Sequence, residues 1–334
     1  MTQYGSSLKD IVMGDVAMPV AARPSVLHDL NQANRRLEKL LADLRNERNA
    51  ESELRHIARS VLDAVELNTD IALACIFLSQ IAGTYAVRHC IETAVVAVSV
   101  ARRMRKAQDE TLVIALAALT MNVGMLRHQN TFNKNSSLTS EEMSIVRRHP
   151  AESVDLLRDA GVQDEEWISC VLMHHENDDG SGYPEGRTSD EITQNARLIS
   201  LADRYCAQVS ARNYRCSVLP DQALHNLLGN PDKVADALLA DHFASQLGQY
   251  PPGSLVRLQN GEIGVVTQRD GGGHLHIHCL RDASGKPMRD AGGTLLVALR
   301  HSGDPDCAIA AVLSEDEADV RFSMKQIWGE QASL

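Results

Sequence analysis

The chain has 334 residues, 44% of them hydrophobic and 23% charged, enough to bury a sizeable core in about two folded units plus an N-terminal extension. Its formal charge of -11, with Lys and Arg scattered along the chain, argues against a large nucleic-acid footprint, because phosphate binding needs clustered cations. Seven dispersed cysteines (Cys75, Cys90, Cys170, Cys206, Cys216, Cys279, Cys307) show no zinc or redox spacing and suit a reducing cytoplasm.

Residues 1–25 carry no clear period, include Pro19 and Pro24, and are read as a mobile tail without a basic-then-apolar targeting signal. Residues 26–68 form an N-terminal helical extension. Within it Leu27, Leu30, Leu37, Leu41 and Leu44 fall on the a and d positions of a short heptad pattern, with Asn34 at a. Two readings stand for that seam: pairing with a partner, or an amphipathic helix packed on its own domain.

From 69 to 247 the pattern is helical throughout, with helices expected over Ile71 to Thr84, Val87 to Met104, Glu110 to Leu119 and Ser140 to Arg158, after an earlier one over Ile57 to Leu67. Ser140 before Glu141 and Glu142 reads as an N-cap, and Gly161 as a stop. The most apolar stretch, Ile71 to Val87, contains Ser79, Gln80 and Tyr85 between Asp70 and Arg88, which suits a buried helix and no membrane span.

Near Gly248 the composition changes. Tyr250-Pro251-Pro252-Gly253 breaks the helical pattern, and Leu255 to Leu258, Gly264 to Thr267 and Leu275 to His278 read as short strands, the first two joined by Asn260-Gly261. Residues 248–334 are therefore expected to form a small β-barrel-like module. His274, His276 and His278 alternate along one strand face; they resemble a metal comb, but an exposed polar face accounts for them better.

The helical region carries the chemistry. His89 opens a long apolar helix, His149 precedes Pro150 near the end of another, His174 and His175 end a third, and Asp203 lies in Leu201-Ala202-Asp203-Arg204-Tyr205. Four imidazoles and a carboxylate on successive helices converge only inside a bundle. Adjacent His174 and His175 project about 100° apart on a helix, so they face one cavity most easily at a helix end. The run Asp179-Gly180-Ser181-Gly182 supplies such an end, since glycine permits the turn.

These residues resemble the HD-GYP family of bacterial phosphodiesterases, a branch of the HD superfamily of metal-dependent phosphohydrolases. The tract from His174 through Glu176, Asp179, Gly180, Gly182, Tyr183 and Pro184 to Glu185-Gly186 matches the family's longest motif without a gap. His149-Pro150 and Ala202-Asp203 match shorter motifs in the right order, and Gly253 to Leu258 resembles the tail found after the domain in many members. The resemblance implies an all-helical HD-type bundle that hydrolyses cyclic di-GMP with iron or manganese-like cations. Carried over, His89, His149, His174, His175 and Asp203 are metal ligands. The same resemblance implies that Arg212 and Arg215 meet substrate phosphate, the other reading being solvated or carboxylate-paired arginines; it implies that the Gly-Tyr-Pro loop docks a protein partner, a diguanylate cyclase among the candidates, the other reading being a rigid turn.

The central motif departs from the family. Met121 stands where the family has histidine, Asn122 where it has aspartate, and Met125 where it has lysine. In the family pattern that aspartate bridges two cations. Two dications about 4 Å apart repel by roughly 15 kcal/mol at an effective dielectric of about 20, and neutral Asn122 cannot offset that. Met121 is a soft thioether, poorly matched to the hard cations of phosphoryl chemistry. The expectation is at most one bound metal at His149, His174 and His175, impaired catalysis, and a role as nucleotide receptor or scaffold acting through the loop, the N-terminal helix or a homodimer. The alternative is an active cyclic di-GMP phosphodiesterase with a mononuclear site. A further reading makes the β module a protein-binding end.

Overall fold

Leucines recurring every three or four residues give the first helix one apolar side, and the fold begins by burying it. A computed structural model describes residues 24–132, 137–210, 217–229, 236–289 and 297–334. The helices are α1 (Val26–Ala42), α2 (Ala50–Leu67), α3 (Thr69–Phe77), α4 (Tyr85–Arg103), α5 (Gln108–Thr120), α6 (Leu126–Phe132), α7 (Ser140–Asp159), α8 (Glu165–Met173), α9 (Gln194–Val209), α10 (Pro220–Leu228) and α11 (Ala237–Leu247). Strands β1 (Leu255–Leu258), β2 (Ile263–Arg269), β3 (Leu275–Arg281), β4 (Ala298–His301) and β5 (Ile309–Leu313) follow, then the short helices α12 (Glu315–Ala318) and α13 (Met324–Trp328).

The architecture is mainly α, as the sequence indicates. The leucine seam of α1 is buried within the chain: Leu27, Leu30, Leu37, Leu41 and Leu44 belong to one core cluster with residues of α2, α3 and α4. Of the two readings, internal packing is the one realised, so this seam is not available to an outside helix. Asn34 is not a coiled-coil register residue either. Its Nδ2 donates to Ala82 O at 2.6 Å, while Asn31 donates to Gln80 O at 3.2 Å and accepts from Ala82 N at 2.9 Å. These bonds satisfy the backbone of the segment after α3, which ends at Phe77 rather than running on to Thr84.

The expected mobile tail falls on residues 1–25, of which only Pro24 and Ser25 lie inside the described residues. Ser25 caps α1, and its Oγ donates to Ser333 O at 2.5 Å, tying the first helix to the last residues. The cap of α7 is Thr139, one residue before the expected Ser140. Only Thr139 has Glu142 three residues on to complete a capping box: Oγ1 accepts from Glu142 N at 3.2 Å, and Glu142 Oε2 accepts from Thr139 N at 2.8 Å. The stretch Gln108–Gln129 is long and apolar enough to cross a membrane, but 72% of its most apolar window is buried in the bundle.

The five strands form an antiparallel sheet in the order β4-β3-β2-β1-β5. Among the described residues β4 and β5 do not pair, so the module is an open sheet rather than a closed barrel. It does not sit apart from the bundle. Leu255, Ile263, Val265, Leu280 and Leu313 share the core cluster of the helices, and Gly253 lies so close to α3 that an added Cβ would meet Ala74 Cα at 2.8 Å. The six described cysteines are free and buried.

Candidate metal centre

Helix α7 contains Pro150, which has no N–H to bond the carbonyl four residues back. That carbonyl, Val146 O, accepts instead from His149 Nδ1 at 2.6 Å. Helix α8 ends at Met173, so its last carbonyls lack helical partners. One of them, Val171 O, accepts from His174 Nδ1 at 2.7 Å. A carbonyl cannot donate, so the ring proton of both histidines sits on Nδ1 and each Nε2 presents a lone pair. The two Nε2 atoms face each other at 3.2 Å. Two lone pairs so placed repel unless a cation lies between them, and an Nδ1–H bonded to a backbone carbonyl is the usual support of a metal-ligating imidazole.

His175 completes the group. One ligand atom from each of His149, His174 and His175 lies within 4.8 Å of the other two. Its ring tilts over that of His174, with centroids 4.1 Å apart, and meets the Tyr183 ring at 4.7 Å. Burial and the neighbouring imidazoles push all three histidines below the ordinary imidazole range, His149 to about 3, so the rings stay neutral and free to coordinate at neutral pH.

Asp203, on α9, accepts from His89 Nε2, on α4, at 2.7 Å. Burial alone would raise the Asp203 carboxyl, but the His89 bond and the surrounding imidazoles outweigh it and hold the group ionised. Its charge acts on His149, His174 and His175, so the His89–Asp203 pair and the three histidines form one electrostatic unit. His89 Nδ1 is buried and has no hydrogen-bond partner among the described residues.

Met121, Asn122 and Met125 lie where α5 ends. Met121 is fully buried among core residues. Asn122 is 1% exposed and its Oδ1 has no partner among the described residues, while Met125 is buried as well. Ser153 of α7 clamps this turn, its Oγ donating to Met121 O at 2.9 Å and accepting from Gly124 N at 2.9 Å. Gly124 itself abuts α7: a Cβ there would lie 2.5 Å from His149 O.

The loop after α8 is held by Glu176, whose carboxylate accepts from the backbone N–H groups of Glu185 (2.7 Å), Gly186 (3.2 Å) and Arg187 (3.0 Å). Gly182 packs against the backbone of residues 175–177, where a Cβ would meet Asn177 N at 2.4 Å; Gly180 turns the chain at φ +75°. Asp179 Oδ1 accepts from Ser181 N at 2.9 Å, and Tyr183 N donates to His175 O at 3.2 Å. Tyr183-Pro184 is a cis peptide. Asp179, Gly180, Gly182 and Pro184 thus shape the loop, and Tyr183 alone brings a ring to the histidines. Arg212 and Arg215 lie outside the described residues. Among the described residues Arg147 and Arg204, both exposed, are cations whose charges act on the Tyr183 hydroxyl.

Sequence reasoning passed over Glu92, one helical turn after His89. It is buried, bonded by Ser210 Oγ and paired with Arg88 at 3.3 Å; burial raises its carboxyl, against the pull of Arg88. Its signal was a lone acid within the apolar run Ile91 to Val98.

Known proteins resemble this chain in sequence and in fold. The HD-domain family pattern covers residues 37–237, more than half of the chain, and the chain belongs to that family. The His174-to-Pro184 tract lies inside the matched region. A cyclic di-GMP phosphodiesterase of Pseudomonas aeruginosa is 29% identical over 188 residues, 56% of this chain and 45% of the relative. Another, from Borreliella burgdorferi, is 24% identical over 194 residues, 58% of this chain and 51% of the relative. The chain therefore spans about half the length of these relatives. Among solved structures, an HDGYP protein from Bdellovibrio bacteriovorus shares the fold, with a TM-score of 0.56 and 16% identity over 68% of this chain and 74% of that one.

Proposed function

We propose that this is a degenerate HD-GYP protein of cytoplasmic cyclic di-GMP signalling, impaired in hydrolysis and acting as a nucleotide receptor or protein scaffold. The observation that carries the reading is the Met121-Asn122 turn, where a buried thioether and a neutral amide replace the imidazole and carboxylate that two neighbouring cations require. His149, His174 and His175 would hold one divalent cation, of iron or manganese type, with Asp203 balancing its charge. A bound cation would polarise a phosphoryl oxygen and lower the pKa of a water. The chain's own residues do the rest: His149 and His174 keep their Nε2 atoms bare, Asp203 supplies negative charge that acts on them, and Arg147 and Arg204, whose charges act on Tyr183, would offer positive charge for phosphate. Tyr183, on a loop fixed by Glu176, is suited to docking a partner such as a diguanylate cyclase.

A second reading, an active phosphodiesterase with a mononuclear site, is favoured by the three intact imidazoles. The two separate on metal content and turnover of cyclic di-GMP. The expected result is that His149→Ala with His174→Ala releases at most one equivalent of metal, and that turnover lies on the order of 10²-fold or more below that of an intact relative. Release of two or more equivalents together with robust hydrolysis would end the receptor reading. Restoring the motif with Met121→His, Asn122→Asp and Met125→Lys should add metal and activity; no change in either would mean that these positions do not belong to the site.

A further inference from the structure

The geometry points to a second metal site, on the sheet rather than in the helical bundle, taking a borderline divalent cation of the Zn2+ class through Asp270, His276 and His301. One ligand atom from each lies within 4.8 Å of the other two. His276 on β3 and His301 on the edge strand β4 are direct cross-strand partners, and their ring centroids stand 5.3 Å apart. Asp270 follows β2 and is aimed by the backbone: its Oδ1 accepts from Gly272 N at 2.8 Å and His274 N at 3.0 Å, leaving Oδ2 to accept from His301 Nε2 at 2.9 Å, whose proton a bound cation would displace. Gly303 leaves room for the rings, since a Cβ there would lie 3.0 Å from His301 Nδ1 and 3.2 Å from His274 Cε1.

Two imidazoles and one carboxylate with an open side make the donor set that suits Zn2+, whereas Mg2+ and Ca2+ prefer oxygen alone. Histidine spacing along β3 could not reveal this, because the second imidazole comes from the next strand. His278, on the same face of β3, stands opposite Leu299 instead and is not a member. A cation here would tie the edge strand to β3 and to the turn after β2, so Zn2+ should protect that edge. The inference is independent of what the helical histidines bind.

The test uses the full chain, stripped by chelator and titrated with Zn2+ alone. His276→Ala, His301→Ala and Asp270→Asn should each lose one equivalent relative to the unsubstituted chain, and His56→Ala, on the exposed side of α2, should lose none. Zn2+ should also shield His276 and His301, but not His56, from diethyl pyrocarbonate in the unsubstituted chain, a readout that needs no variant to fold. Unchanged stoichiometry in the three folded variants overturns the site. So does equal labelling with and without Zn2+, or loss of Zn2+ only when His149 is replaced.

Discussion

At His149, Nδ1 donates to Val146 O because Pro150 cannot claim that carbonyl, and at His174 the helix end frees Val171 O for the same purpose. The backbone carbonyl that each ring meets therefore sets the tautomer, which the pairing of histidine with proline in the sequence does not announce. Burial holds the folded His149 near pKa 3, below its ordinary value of 6.5. Between those values the unfolded chain binds a proton that the folded chain does not, so stability rises with pH and is lost as pH falls from about 6.5 toward 3. Metal-free protein should show this in denaturant melts across that window. His149→Asn should flatten the dependence by up to about 1.4 kcal/mol per pH unit, the share of one proton.

Elements position the site through backbone contact. The turn after α5 touches α7 at Gly124, whose added Cβ would sit 2.5 Å from His149 O and 2.7 Å from Ser153 N. Gly124→Ala must push α7 outward; we expect a loss of about 1–3 kcal/mol in thermal or denaturant melts and weaker metal binding at His149. Retained stability and metal content would contradict that packing. The helices themselves were legible from period and caps, but where they end depended on partners elsewhere. α3 stops at Phe77 and the following backbone is met by Asn31 and Asn34 of α1, a contact between segments distant in sequence.

On the scale of the whole molecule, helices and sheet share one core. Leu255, Val265 and Leu280 pack with the helical cluster, and Asn68 donates to Gln331 at 3.3 Å. Truncation after Gln249 would expose that apolar surface. The expected outcome is a markedly lower melting temperature or insolubility rather than a freely folding helical domain, checked by circular dichroism and sedimentation of the truncated chain. A truncated chain that melts like the full one would show the sheet to be an appendage.

The sequence by itself determined the family and the mainly helical class, because these are written in residue identity and local period. Only the tertiary structure decided that the α1 seam is used internally, that the Nε2 atoms of His149 and His174 meet, that Glu176 staples the loop, and that His301 joins His276 and Asp270 across strands. The reason is physical: identity and period act between residues a few positions apart, whereas lone-pair direction, burial and cross-strand register exist only once distant segments are packed together.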